Sequence, residues 1–142
     1  KLARKYGQQT GGRYEIITFT GSFHGRTFGA MTATAQEKIH GGFGPLPPGF
    51  VYSPFNDIAA LEAAITDKTV AILVEPIQGE SGVNAVTPEF LRAAQRLCRE
   101  KDLLLLLDAS FGPVVQVRAV GQRLYGSWID ECQVEAKFAN GI

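Results

Sequence analysis

The chain has 142 residues, 45% of them apolar and 20% charged, which is enough for one compact domain of ordinary soluble composition. Fourteen basic residues balance fourteen acidic ones, so there is no net field to draw in nucleic acid or an anionic membrane. Two cysteines make no disulfide framework, and no apolar run approaches the roughly 20 residues that span a bilayer, so a reducing, cytoplasmic setting is expected.

Lys1 to Gly7 reads as the last turns of a helix stopped by Gly7, with cations near the negative end of its dipole. It carries no initiator methionine, no apolar leader and no cleavage site, so the chain reads as cut from something longer. After a turn at Gly11-Gly12, Tyr14 to Thr20 has the pattern of a strand. A short helix is expected within 26–35. Residues 41–49, rich in glycine and proline, cannot sustain a helix or a central strand and form a loop. Phe50-Val51-Tyr52 suits a short strand.

Asn56 or Asp57 can cap a helix whose apolar positions are Ile58, Leu61 and Ile65. Thr69 to Val74 is apolar throughout and rich in β-branched residues, as in a strand covered on both faces. Thr87-Pro88-Glu89 combines a capping hydroxyl, a first-turn proline and a carboxylate at the positive helix end. Phe90, Leu91, Ala94, Leu97 and Cys98 then line one face, which makes Cys98 a buried thiol. Leu103 to Leu107 follows as a buried strand, completing a βαβ unit with 69–74. From Ala109 to Glu135 the periodicity fades, with a strand at 114–120 as the one element expected there. No internal repeat or second domain is visible.

Three of these apolar runs end on residues able to do chemistry. The first leads into Gly21-Ser22-Phe23-His24-Gly25-Arg26-Thr27, the second into Glu75-Pro76-Ile77-Gln78-Gly79-Glu80, and the third into Asp108. Open α/β sheets bind ligands beyond the carboxyl ends of their strands, so one shared site is expected. There is no G-x-G-x-x-G, no Walker lysine loop and no nucleophile elbow, and His24 and His40 lack metal-ligand companions. Asp108 either caps the turn that follows it or faces a cation, such as a protonated pyridine nitrogen. Phe23 is either core packing or a platform for a flat ring. Arg26 is either a structural ion pair or a fork for a substrate carboxylate, and Glu80 is by default a solvated carboxylate.

Taken together, Gly21 to Ala30, Glu75 to Glu80 and Leu105-Leu106-Leu107-Asp108 resemble the class III, ornithine-type aminotransferases that use pyridoxal 5'-phosphate (PLP). Phe43-Gly44-Pro45-Leu46-Pro47 and Thr87-Pro88-Glu89-Phe90-Leu91 agree, and the likeness is continuous from Lys1 to Asp108. It implies an α/β fold: a partial PLP-binding large domain of fold-type I, a mainly parallel sheet flanked by helices. The implied activity moves the terminal amino group of N-acetylornithine, or a related ω-amino donor, to 2-oxoglutarate, as in arginine biosynthesis. The implied assembly is a homodimer.

By the same resemblance, Phe23 would stack on the cofactor ring and Asp108 would hold its pyridinium proton. Arg26 would bind the donor's α-carboxylate, and Glu80 would be the carboxylate that lets one site accept two substrates. The pattern breaks after Asp108, where Ala109-Ser110-Phe111 replaces the family's Glu-Val-Gln, so that glutamine's contact with the ring hydroxyl is lost. Residues 109–135 diverge and are expected to be poorly ordered. Ala136-Lys137-Phe138-Ala139-Asn140-Gly141-Ile142 then resembles the Schiff-base segment with one residue missing, making Lys137 the candidate catalytic lysine; otherwise it is a surface lysine near a chain end. The family's phosphate-holding segment and small domain lie outside the likeness. The 142-residue chain alone is therefore expected to be inactive, and a non-catalytic fragment is the competing reading.

Overall fold

The computed structural model describes residues 1–108 and, beyond them, the backbone of two strands at 114–122 and 131–138. The chain divides at Asp108 into two compact units, Lys1–Asp108 and Ala109–Ile142, where the sequence alone suggested a single partial domain.

The first unit opens with α1 (Leu2–Gln9), followed by β1 (Glu15–Phe19). α1 runs past Gly7, which therefore does not stop it. The glycine is required by packing instead. A Cβ there would lie 1.9 Å from the carbonyl oxygen of Arg13, which follows the turn that brings the chain back toward the sheet. The Gly7 carbonyl itself accepts from the backbone N–H groups of Thr10, Gly12 and Arg13, so neither side of the contact can yield freely. Gly7→Ala is expected to destabilise the unit by about 2 kcal/mol, as an overpacked site does, read as a lowered urea midpoint.

Next come α2 (Phe28–Ala33), α3 (Glu37–His40), β2 (Phe50–Ser53) and α4 (Ile58–Ala64). Of the two candidate caps for α4, Asp57 does the work, accepting from the Ala60 N–H at 2.9 Å. Asn56 instead ties the loop to the following segment, accepting from the Thr87 N–H and donating to the Ala85 carbonyl. β3 (Thr69–Val74), β4 (Ile77–Gln78) and β5 (Asn84–Ala85) lead to α5 (Pro88–Lys101) and β6 (Leu104–Leu107). Thr87 caps α5 through the Phe90 N–H, as its sequence signal indicates.

β2, β1, β3 and β6 form one sheet in that order, and every adjacent pair is parallel. β1 and β3 are central and buried almost throughout. β6 stands at an edge of the sheet, which corrects the expectation of a fully buried strand: its four leucines are half-buried. On one face α5 and α4 close a core of Phe19, Leu61, Ile72, Val74, Phe90 and Leu97. On the other, α1 covers Ile16, Val70 and Ala71 with Ala3. Cys98 is buried in the first core, and that burial pushes its thiol up to about 12.

The second unit is a two-stranded antiparallel ribbon, β7 (Val114–Gln122) with β8 (Glu131–Phe138), so the strand expected at 114–120 is present. The expectation of poor order over 109–135 otherwise falls outside the described residues. Among the described residues no helix is long and apolar enough to cross a membrane.

Candidate functional site

Because β1, β3 and β6 are adjacent and parallel, their carboxyl ends lie side by side. The ladder continues one step past β6, where the Asp108 N–H donates to the Val74 carbonyl at 2.9 Å. This fixes Asp108 beside Glu75, the residue that follows β3. Glu75 is 2% exposed, unusual for a carboxyl group.

The turn after β1 folds over these two carboxyl groups. The Phe23 N–H donates to Glu75 Oε2 at 2.8 Å, and His24 Nδ1 lies 2.9 Å from Asp108 Oδ2. Two straps hold the turn from its sides. On one, the His24 N–H donates to Thr34 Oγ1 at 2.8 Å and Gln36 Nε2 donates to the Ser22 carbonyl at 2.9 Å. On the other, buried Gln78 donates from Nε2 to the Thr20 carbonyl at 3.0 Å and accepts from the Ser81 hydroxyl. Gly21 has φ +81°, and a Cβ on it would press to 2.9 Å from Gln78 Oε1, so the turn needs glycine there for both reasons.

His24 is the site residue the sequence reading missed. Its side chain is 3% exposed. Burial lowers its pKa below the ordinary histidine value, while the hydrogen bond and charge of Asp108 pull in the opposite direction. A carboxylate only accepts, so the hydrogen bond assigns the proton of the neutral ring to Nδ1. Nε2 is then an acceptor, buried and without a hydrogen-bond partner among the described residues. Glu75 Oε1 is in the same condition. Burial raises Glu75 to about 7, opposed by the Phe23 N–H and reinforced by the charges of Asp108 and Glu80.

Among the predicted residues, the structure brings Phe23 and Asp108 together through this turn. Asp108 bonds His24, and the turn that it was expected to cap lies outside the described residues. Arg26 is exposed, and its guanidinium carbon lies 5.3 Å from the Phe23 ring centroid. Among the described residues it forms no ion pair. Glu80 is exposed in the turn between β4 and β5, near enough for its charge to reach Glu75. Lys137 belongs to the second unit, in β8 opposite Gln116, and its side chain lies outside the described residues. His40 is elsewhere, donating from Nε2 to the carbonyls of Met31 and Thr34 at the end of α2. Among the described residues no group of three or more His, Cys, Asp or Glu side chains could hold a metal ion.

What the edge offers is therefore a carboxylate oriented by a buried neutral histidine, an aromatic residue next to that histidine in the chain, a cationic fork over its ring and two further carboxyl groups. A buried acceptor left without a partner among the described residues, His24 Nε2, behind a carboxylate suits a ligand that brings a proton and a positive charge. A protonated pyridine ring fits that donor set.

Known proteins carry the same arrangement of sequence and fold. The chain is 57% identical over 110 residues to the acetylornithine aminotransferase of Caldanaerobacter subterraneus subsp. tengcongensis, covering 76% of this chain and 28% of that protein. It is 50% identical over 110 residues to the acetylornithine aminotransferase of Methanocaldococcus jannaschii, with the same coverage of both. The chain thus spans little more than a quarter of the length of the curated relatives it matches. Among solved structures, the ornithine aminotransferase of Toxoplasma gondii, described with PLP at partial occupancy in its active site, superposes with a TM-score of 0.72 at 36% identity. That match covers 78% of this chain and 28% of that one. The N-acetylornithine aminotransferase of Stenotrophomonas maltophilia matches with a TM-score of 0.56 at 34% identity, over 75% and 24% of the two chains. The model of the class-III aminotransferases matches residues 1–109, stopping one residue past the end of the first unit. By sequence and by parallel-sheet fold, the chain belongs to the class-III aminotransferase family.

Proposed function

We propose that this chain is part of the cofactor-binding domain of a PLP-dependent aminotransferase that moves the terminal amino group of N-acetylornithine, or a related ω-amino donor, to 2-oxoglutarate. The observation that carries the reading is the His24–Asp108 hydrogen bond beside Phe23, at the shared carboxyl edge of three parallel strands. When bound, PLP supplies an electron sink for negative charge developing on the amino-acid carbon, provided its ring nitrogen keeps a proton.

Asp108 would hold that proton at the ring nitrogen. His24 would keep the Asp108 carboxylate in one orientation, and its burial keeps water from the histidine side of the pair. Phe23 would offer its face to the ring. Arg26, exposed and forked, would take the α-carboxylate of the amino donor. Glu80 would let one site accept both a basic donor and a dicarboxylate. Lys137 would contribute the amine that anchors the cofactor. The parent protein would be a homodimer acting in the cytoplasm.

The second reading, a non-catalytic member of the family, is favoured by Ala109-Ser110-Phe111 directly after Asp108, where the match to the family model also ends. One experiment separates the two. The chain is incubated with PLP, reduced with borohydride and digested, and the labelled lysine is located by mass. The proposal expects the label on Lys137 and a visible absorbance band lost in Lys137→Ala. It also expects Asp108→Ala to retain PLP about 10- to 100-fold less tightly, the cost of one hydrogen bond to a charged group. Labelling of no lysine, or of surface lysines alike, would favour the non-catalytic reading.

A further inference from the structure

Glu75 has no part in the roles above, yet it is the most buried ionisable group at the strand edge. Its Oε2 accepts from the Phe23 N–H at 2.8 Å, a contact that joins residues 52 positions apart. The next residue, His24, makes the 2.9 Å contact with Asp108. One carboxyl group at the end of β3 therefore holds the backbone of the turn whose neighbouring side chain orients Asp108 at the end of β6. We propose that Glu75 is a positioning residue of this site, clamping the Phe23–His24 turn so that Phe23 and His24 are held in register with Asp108. The inference rests on the reading of this edge as a site for a cationic ring.

The charges around Glu75 bear on the state in which it works. Asp108 faces it from the end of β6 and Glu80 from the turn after β4, both negative. His24, from the turn after β1, is neutral and committed to Asp108. Arg26, in that same turn, lies over the Phe23 ring. With burial added, these neighbours favour the protonated form, in which Glu75 still accepts at Oε2 and places no second negative charge beside Asp108. The proton then belongs on Oε1, the oxygen without a partner among the described residues. Ionisation would add that charge and load the turn with repulsion, so the clamp should respond to pH near neutrality.

The test uses the whole 142-residue chain, without cofactor, by NMR. In the unmutated chain the Phe23 amide shift should follow a titration with its midpoint near 7, the value to which Glu75 is raised. Glu75→Gln keeps an acceptor oxygen without the charge. It should preserve the slow exchange of the Phe23 amide and the Nδ1–H tautomer of His24, and abolish the titration. Glu75→Ala should speed exchange of the Phe23 amide about tenfold, the loss of one hydrogen bond, and move the His24 titration back toward its ordinary value. A Phe23 amide shift that stays flat from pH 5 to 8 in the unmutated chain would overturn the proposal. So would a folded Glu75→Ala chain that keeps both the slow Phe23 amide exchange and the lowered His24 titration. The titration of the unmutated chain stands even where Glu75→Ala fails to fold. Because neither involves PLP, a failure here is distinct from a failure of the labelling experiment.

Discussion

Replacing Phe90 with alanine is expected to cost the first unit about 3–5 kcal/mol, a large share of the 5–15 kcal/mol that holds a domain of this size folded. Phe90 is fully buried on α5 and sits edge-on to the Phe19 ring at 5.2 Å and 83°. Phe55 lies 6.3 Å from Phe90 and 6.2 Å from Phe19, so the three rings form one packed group. Leu61 of α4, Ile72 and Val74 of β3 and Leu97 of α5 close around them. Truncation removes both the transferred apolar area and the edge-to-face contact, and leaves a cavity that two rigid strands and a 14-residue helix cannot fill. Urea unfolding followed by circular dichroism should show the midpoint collapse, with Phe90→Leu keeping much of the volume and losing less. Phe43→Ala, at a position 53% exposed in the loop before β2, is the control and should stay within about 0.5 kcal/mol. A Phe90→Ala loss under about 1 kcal/mol would mean that this cluster does not organise the unit.

The second large effect is a dependence of stability on pH. Glu75 binds its proton more tightly in the folded chain, about 7 against an ordinary 4.5. Below 4.5 the proton is bound in both states and the group makes no difference. Between 4.5 and 7 the unfolded chain releases it and the folded chain keeps it, so stability falls as pH rises. Above 7 both states are ionised and the loss is complete, at about 3 kcal/mol. His24 acts with the opposite sign. Its folded pKa is lowered, so its contribution is present above 6.5 and lost as pH falls below that value. Subtracting the stability of Glu75→Gln from that of the unmutated chain at each pH removes the shared histidine contribution. The difference should decline steadily from pH 4.5 to 7 and then level off; a difference independent of pH would show that Glu75 is not held protonated by the fold.

Most elements were legible in the sequence because their signals are local. Thr87-Pro88-Glu89 marks the start of α5 through a hydroxyl, a ring and a charge that all act within one helical turn. Thr69 to Val74 declares a central strand because each of its positions faces protein. Gly7 misled because a glycine near a helix end signals a cap as readily as it signals close packing. What decides is the Arg13 carbonyl, placed against it by the turn that follows. The four leucines of β6 misled in a similar way. Their composition reports hydrophobicity, whereas their burial depends on what stands on each side of the strand.

At the site, Phe23, Arg26, Glu80 and Asp108 were readable as residue types at strand ends, and their family resemblance gave them roles to propose. The sequence by itself determined which strands build the parallel sheet, that their ends carry an aromatic, a cation and carboxyl groups, and to which family the pattern conforms. Only the tertiary structure decided that His24 meets Asp108 across 84 residues, and that the Glu75 carboxyl receives the Phe23 amide across 52. The physical reason is that helix caps and strand patterns are set by neighbours a few residues away. A hydrogen bond between loops, and the desolvation that moves a proton onto Glu75 or off His24, arise only once parallel pairing has brought distant strand ends to one edge.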